Sequence, residues 1–165
     1  MPENMLQTAL PRFYSMASPD TVSAARVEIS ARPSAAPSWQ DWRASGHVLV
    51  VDDDEAVRMV LTRTLSRIGL TVSVAANGHE AVALFAAEAE KFTLVLLDYK
   101  LPGMDSRTVF GELRARKAGI PVILMSGYGQ LEALGSSDGL DFAEFLHKPF
   151  TMAVLSAKIR TALGA

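Results

Sequence analysis

From His47 onward, short apolar runs alternate five times with segments of helical spacing, and few folds satisfy that alternation. The first run, 47–51 (HVLVV), leads into Asp52, Asp53 and Asp54. Val57, Val60, Leu61, Thr64, Leu65 and Ile68 then recur at the spacing of one helix face, and Gly69 closes that segment. A second strand is expected over 71–75, a turn at Asn77-Gly78, and a second helix carrying Ala81, Leu84, Phe85 and Ala89. The run 92–97 (FTLVLL) is apolar except for Thr93, as a strand buried on both faces would be. A loop from Asp98 to Asp105 holds Pro102-Gly103, and Val109, Phe110 and Leu113 mark a third helix. The fourth strand is expected over 121–125, a short helix among glycines over 130–134, and the fifth strand over 142–146. A last helix starts near Thr151 and uses Val154, Leu155, Ile159 and Leu163.

Strands with apolar centres that alternate with helices imply a parallel sheet covered on both faces. Right-handed crossovers and a chain of 165 residues favour the α/β flavodoxin-like, doubly wound arrangement (βα)5, with a five-stranded parallel sheet in the known order 2-1-3-4-5.

The first 46 residues read differently. Five of the eight prolines lie there, serine and alanine fill much of the rest, and no apolar period is sustained. Such composition does not bury enough surface to offset its ordering entropy. Residues 1–46 are therefore expected to be a disordered extension or linker, and 47–165 the folded domain. Ser38 to Arg43 is compatible with one helical turn capped by Ser38, with Trp39 and Trp42 docked on the domain or on a partner, and equally with a tryptophan pair in a mobile linker.

A net charge of −2 gives no electrostatic case for nucleic acid or an anionic membrane. The absence of cysteine removes disulfides and thiolate metal sites. No apolar run approaches the ~18 residues that span a bilayer, and no basic start precedes an apolar stretch, so a cytoplasmic location is expected.

In an open parallel sheet, ligands bind beyond the carboxyl ends of the strands. Those ends carry Asp52, Asp53 and Asp54 after strand one, Asp98 after strand three, Ser126 after strand four, and Lys148 before Pro149 after strand five. Singly, an aspartate there caps a helix, a serine before Gly127 makes a turn, and a lysine before proline is solvated. Together, four strands deliver polar groups to one edge. Clustered carboxylates raise one another's proton affinity, and a divalent cation relieves that. Magnesium takes oxygen ligands, and no histidine–cysteine set points to zinc. A carboxylate beside the metal can act as nucleophile and form an acyl phosphate, with a lysine and a hydroxyl neutralising phosphoryl oxygens.

The stretches VLVVDDDEAVR (48–58), LVLLDYKLPGMD (94–105), VILMSGYG (122–129) and FLHKPF (145–150), in this order and spacing, resemble a response-regulator receiver domain of two-component signalling. The resemblance covers 47–165 and is closest in style to the C-terminal receiver of hybrid sensor histidine kinases. It implies that Asp98 is phosphorylated by a histidine kinase or a histidine phosphotransfer protein. It implies that Asp53, Asp98 and the backbone carbonyl of Lys100 hold Mg2+, with Asp52 acting through metal-bound water. Ser126 and Lys148 would contact the phosphate, Phe145 would move with it, and the Lys148–Pro149 peptide would be cis. Lys100 and Tyr128 would flank the approach of hydrolytic water. The chain would be a phosphoacceptor rather than an enzyme and would signal through an unidentified protein partner; a phosphorylation-dependent homodimer stays open. The sequence ends one helix after strand five, so no output domain is expected within it.

Ser106 departs from the glycine usual after the loop aspartate; here Asp105 or Ser106 serves as a helix cap. Asp54, the third aspartate in a row, is expected at the helix start or in solvent. Two other readings differ in class. A degenerate receiver would be a phosphorylation-independent interaction module, but every acidic, hydroxyl and lysine position is filled. A nucleotide-binding enzyme would need a glycine-rich loop after strand one, where this chain has three aspartates that repel phosphate.

Overall fold

The structure is a computed structural model and describes residues 41–127 and 139–165. Five strands, β1 (His47–Val51), β2 (Thr71–Ala75), β3 (Phe92–Asp98), β4 (Val122–Ser126) and β5 (Glu144–His147), form one sheet in the order β2-β1-β3-β4-β5. Every neighbouring pair is parallel. The connecting helices are α1 (Glu55–Arg67), α2 (Gly78–Ala87) and α3 (Ser106–Arg116), and α4 (Met152–Leu163) ends the fold. This is the expected doubly wound sheet. The short helix expected over 130–134 lies outside the described residues.

Strand side chains alternate between the two faces. Leu49, Val51, Val95, Leu97, Val122 and Leu124 pack with Phe85, Val109 and Leu113 under α2 and α3. Val48, Val50, Leu94, Leu96, Ile123 and Met125 pack with Leu61, Leu65, Leu155 and Ile159 under α1 and α4. The central strands are thus apolar on both sides because helices cover both.

The helix starts follow side-chain chemistry. Asp54 accepts from Ala56 N–H and Val57 N–H to cap α1, Asp105 accepts from Thr108 N–H to cap α3, and Thr151 accepts from Val154 N–H to cap α4. Asn77-Gly78 is not a free turn: the Asn77 side chain accepts from Glu80 N–H, and Gly78 is the first residue of α2. A Cβ on Gly78 would fall 2.7 Å from a Val109 methyl, so the close approach of α2 to α3 demands glycine there. The fifth strand begins at Glu144 rather than 142; just ahead of it Ala143 N–H donates to the Val122 carbonyl at 2.9 Å, and the Phe142 ring packs 4.4 Å from that of Phe110.

The folded unit also starts earlier than Gly46. Trp42 and Ala44 pack against the core under α1 and α4, the Arg160 guanidinium sits over the Trp42 ring at 5.1 Å, and Ala44 N–H donates to the Ile68 carbonyl at 2.7 Å. Gly69, with φ of 98°, lets that strap pass, since a Cβ would meet the Ala44 carbonyl oxygen at 2.5 Å.

Candidate phosphoacceptor and metal site

The register places the functional candidates. Val51 pairs with Leu97, so Asp52 and Asp98 emerge side by side from β1 and β3. Asp98 pairs with Met125, so Ser126 is the next residue at the end of β4. Ser126 in turn pairs with His147, which puts Lys148 just past the end of β5. The ladder is prolonged by Asp52 N–H to the Ala75 carbonyl, Tyr99 N–H to the Met125 carbonyl and Lys148 N–H to the Ser126 carbonyl. The Lys148–Pro149 peptide is cis.

Lys148 is the hub. Its Nζ lies 2.6 Å from Asp52 Oδ2 and 2.6 Å from Asp98 Oδ1. Asp52 is 1% exposed and Asp98 6%. The other oxygen of Asp98 accepts from Lys100 N–H at 2.9 Å, and Asp52 Oδ1 accepts from Asp54 N–H at 3.0 Å. Oxygens of Asp52, Asp53 and Asp98 lie within 4.8 Å of one another. Asp53 is exposed, and its carboxylate has no hydrogen bond or ion pair among the described residues.

Burial pushes the Asp98 carboxyl above its usual range; the Lys148 ammonium works against this, and the Asp52 charge adds to it. Burial also works against the Lys148 charge, but the hydrogen bonds to Asp52 and Asp98 outweigh it and hold the ammonium above its usual range. The site therefore concentrates negative charge with one lysine for three carboxylates. An all-oxygen set of this kind, with one member free and exposed, fits a hard divalent cation of the magnesium type.

The remaining candidates are placed one by one. Ser126 is buried, and its hydroxyl donates to the Gly127 carbonyl at 3.3 Å. Lys100 is exposed and, with Asp53, Tyr99 and Asp105, lines an open cleft of about 640 Å³ beside the carboxylates. Phe145 is 40% exposed on β5, with its ring 5.7 Å from that of Phe142. Tyr128 lies outside the described residues. One contact was not anticipated from sequence: Arg58, one turn into α1, donates from Nη1 to the Asp52 carbonyl at 2.6 Å. Its place on the helix gives it away only once the preceding loop is known to fold back.

A doubly wound parallel sheet with a buried aspartate, two flanking aspartates and a lysine at its carboxyl edge is the arrangement expected of the receiver class of α/β domain. Comparison with known proteins agrees: the family model described as the response regulator receiver domain matches residues 48–160, and the chain belongs to that family. It is 34% identical over 119 residues to the DNA-binding transcriptional regulator NtrC of Salmonella typhimurium, covering 72% of this chain and 25% of that protein. It is 38% identical over 125 residues to the response regulator protein FleR of Pseudomonas aeruginosa, covering 71% and 24%. The chain thus spans about a quarter of the length of these relatives. Among solved structures, the response regulator protein TrrA from Thermotoga maritima in complex with Mg(2+)-BeF superposes with a TM-score of 0.63 at 32% identity, over 72% of this chain and 99% of that one. A receiver domain protein from Clostridium thermocellum gives a TM-score of 0.66 at 26% identity, over 72% and 94%. Among the described residues no helix is long and apolar enough to cross a membrane.

Proposed function

We propose that this chain accepts a phosphoryl group from a phosphohistidine onto Asp98, with Mg2+ bound, and passes the signal to a protein partner. The observation that carries this reading is the sharing of one lysine by two buried carboxylates from separate strands, with a third carboxylate free beside them. An Asp98 oxygen attacks phosphorus, the bond from phosphorus to the imidazole nitrogen breaks, and the electron pair leaves with the imidazole. Asp98 is suited to this because it is fixed from both sides, by Lys148 and by Lys100 N–H.

Asp53, Asp98 and the Lys100 carbonyl would hold the ion, with Asp52 reaching it through water; bound there, it offsets the charge of the carboxylates and the incoming phosphoryl oxygens. Lys148 then exchanges its carboxylate contact for a phosphoryl oxygen, and the Ser126 hydroxyl donates to another. Phe145, exposed two residues before His147, is the aromatic that responds. The donor is a histidine kinase or a histidine phosphotransfer protein, the chain works in the cytoplasm, and it acts as an acceptor rather than as a catalyst that turns over. The Mg(2+)-BeF complex of TrrA, at 32% identity, supports the choice of ion and ligand class.

Beryllium fluoride with Mg2+ tests this reading. Both together should shift amide resonances around Asp98, Ser126 and Lys148 beyond the shifts that Mg2+ alone produces, while beryllium fluoride alone should shift none, and beryllium fluoride added to Asp98→Asn with Mg2+ should add nothing. Unchanged spectra in the wild-type protein would refute the reading and favour a phosphorylation-independent interaction module.

A further inference from the structure

The loop that carries Asp52 and Asp53 is tied at more points than its length requires. Asp52 N–H is held by the Ala75 carbonyl, Asp52 Oδ2 by Lys148, and Asp52 Oδ1 by Asp54 N–H. Asp54 in turn caps α1 through Ala56 N–H and Val57 N–H. The Asp52 carbonyl, half of the peptide unit that joins Asp52 to Asp53, remains. Arg58 reaches back along α1 and donates to it from Nη1 at 2.6 Å. Helical side chains lean toward the N-terminus, so a long residue in the first turn and a half is placed to make this contact. Arg58 is half-buried, and its own N–H donates to the Asp54 carbonyl at 3.1 Å. The two residues on either side of Asp53 are thus each fixed twice or more, whereas the Asp53 carboxylate itself is held by nothing among the described residues.

We infer that Arg58 is a positioning residue for the cation site: by pinning the Asp52 carbonyl it sets the direction in which the Asp53 carboxylate leaves the backbone. This rests on the proposed Mg2+-dependent acceptor site and adds to it a residue outside the carboxylate set. Groups that orient metal ligands typically change affinity by about ten- to a hundredfold when removed. The direction of the effect is diagnostic. An arginine near a cation site that acted only through its charge would repel Mg2+, and its removal would tighten binding. An arginine that orients Asp53 does the opposite, and its removal weakens binding although a repelling charge has gone.

The test is calorimetric Mg2+ titration of the full chain and of Arg58→Met, which keeps the aliphatic stem and loses the donor, and of Arg58→Lys, which keeps a donor of the same charge. Urea unfolding is run on each so that affinity is compared on folded protein. Arg58→Met should bind Mg2+ about tenfold more weakly, Arg58→Lys should recover part of that loss, and Arg58→Met added to Asp53→Asn should cost nothing further. Unchanged or tighter binding by folded Arg58→Met, or additive losses in the double variant, would overturn the inference and leave the acceptor site intact. A wild-type chain that binds no Mg2+ would instead remove the acceptor reading, and this inference with it. If Arg58→Met does not fold, Arg58→Lys decides alone: its shorter, single-point donor should give a measurable loss, and wild-type affinity would overturn the assignment.

Discussion

The two ends of the sheet are made from the same strands and treat polarity in opposite ways. At the amino end, Thr93 Oγ1 accepts His47 N–H and donates to the His47 carbonyl, both at 3.1 Å, and His47 Nε2 is hydrogen-bonded to Ser73 Oγ at 2.8 Å. Burial and the nearby Lys91 hold the His47 imidazole below its usual range, which favours the neutral ring. Just outside, Trp42 closes the core under Arg160. Polar groups there meet neutral partners, and the result is a seal. At the carboxyl end, two nearly buried carboxylates and a third beside them share one ammonium. Charge is gathered faster than it is neutralised, which costs stability and creates a place for a cation and a phosphoryl group. One end holds the fold, and the other stores the electrostatic demand that a ligand satisfies.

Substitutions should separate the ends. The largest effect is expected for Asp53→Asn, which removes the exposed member of the Asp52, Asp53 and Asp98 cluster, without a partner among the described residues: Mg2+ affinity by calorimetry should fall on the order of ten- to a hundredfold with little change in the urea midpoint. Next, Trp42→Ala should lower unfolding stability by about 2 kcal/mol, since a half-buried aromatic gives up part of what a core one would. Phosphorylation of the folded fraction should be unaffected. A chain starting at Ala44 should show the same loss. Equal stability to wild type would return the boundary to Gly46.

Asp98→Asn should move stability the other way. The Asp98 carboxyl titrates above its unfolded value because burial disfavours its charge. Protonation therefore favours the folded state, and stability contributed by this group is lost as pH rises from the unfolded carboxylate range through the raised folded value. The asparagine variant avoids that loss, so its thermal midpoint without Mg2+ should exceed that of wild type at neutral pH, and the gap should close in acid. A gap that is absent at neutral pH would mean that Lys148 fully compensates the buried charge. The smallest effect is expected for Lys100→Ala: with the exposed Lys100 side chain gone from the cleft, the acyl phosphate should hydrolyse a few-fold faster, measured as phosphate release. An unchanged rate would show that this side chain does not hinder water.

The same contrast explains what could be read from sequence. The carboxyl end was legible because its chemistry is written at strand ends: apolar runs place Asp52, Asp98, Ser126 and Lys148 at one edge, and the ladder brings them together as expected. The amino end was legible only in part: docking of Trp42 on the domain was one alternative among others. Trp42 lies among prolines and serines with no period to mark it, and its partner Arg160 is far along the chain on α4. Asn77-Gly78 serves a turn and a helix cap equally well; the Glu80 N–H donated to the Asn77 side chain makes it a cap, and the crowding by Val109 keeps residue 78 a glycine. Phe142 has strand propensity, but the strand begins at Glu144. Arg58 looks like any helix-surface arginine until the loop before it folds back.

The central claim is that Asp98 is the acceptor and that its acceptance depends on the divalent cation. Intact-mass analysis after incubation with acetyl phosphate tests it most directly, on wild type and Asp98→Asn, each with Mg2+ and with a chelator. The account predicts one phosphoryl group on the wild-type chain with Mg2+, and none in the other three samples. Equal labelling of Asp98→Asn, or labelling of wild type that persists in chelator, would contradict it.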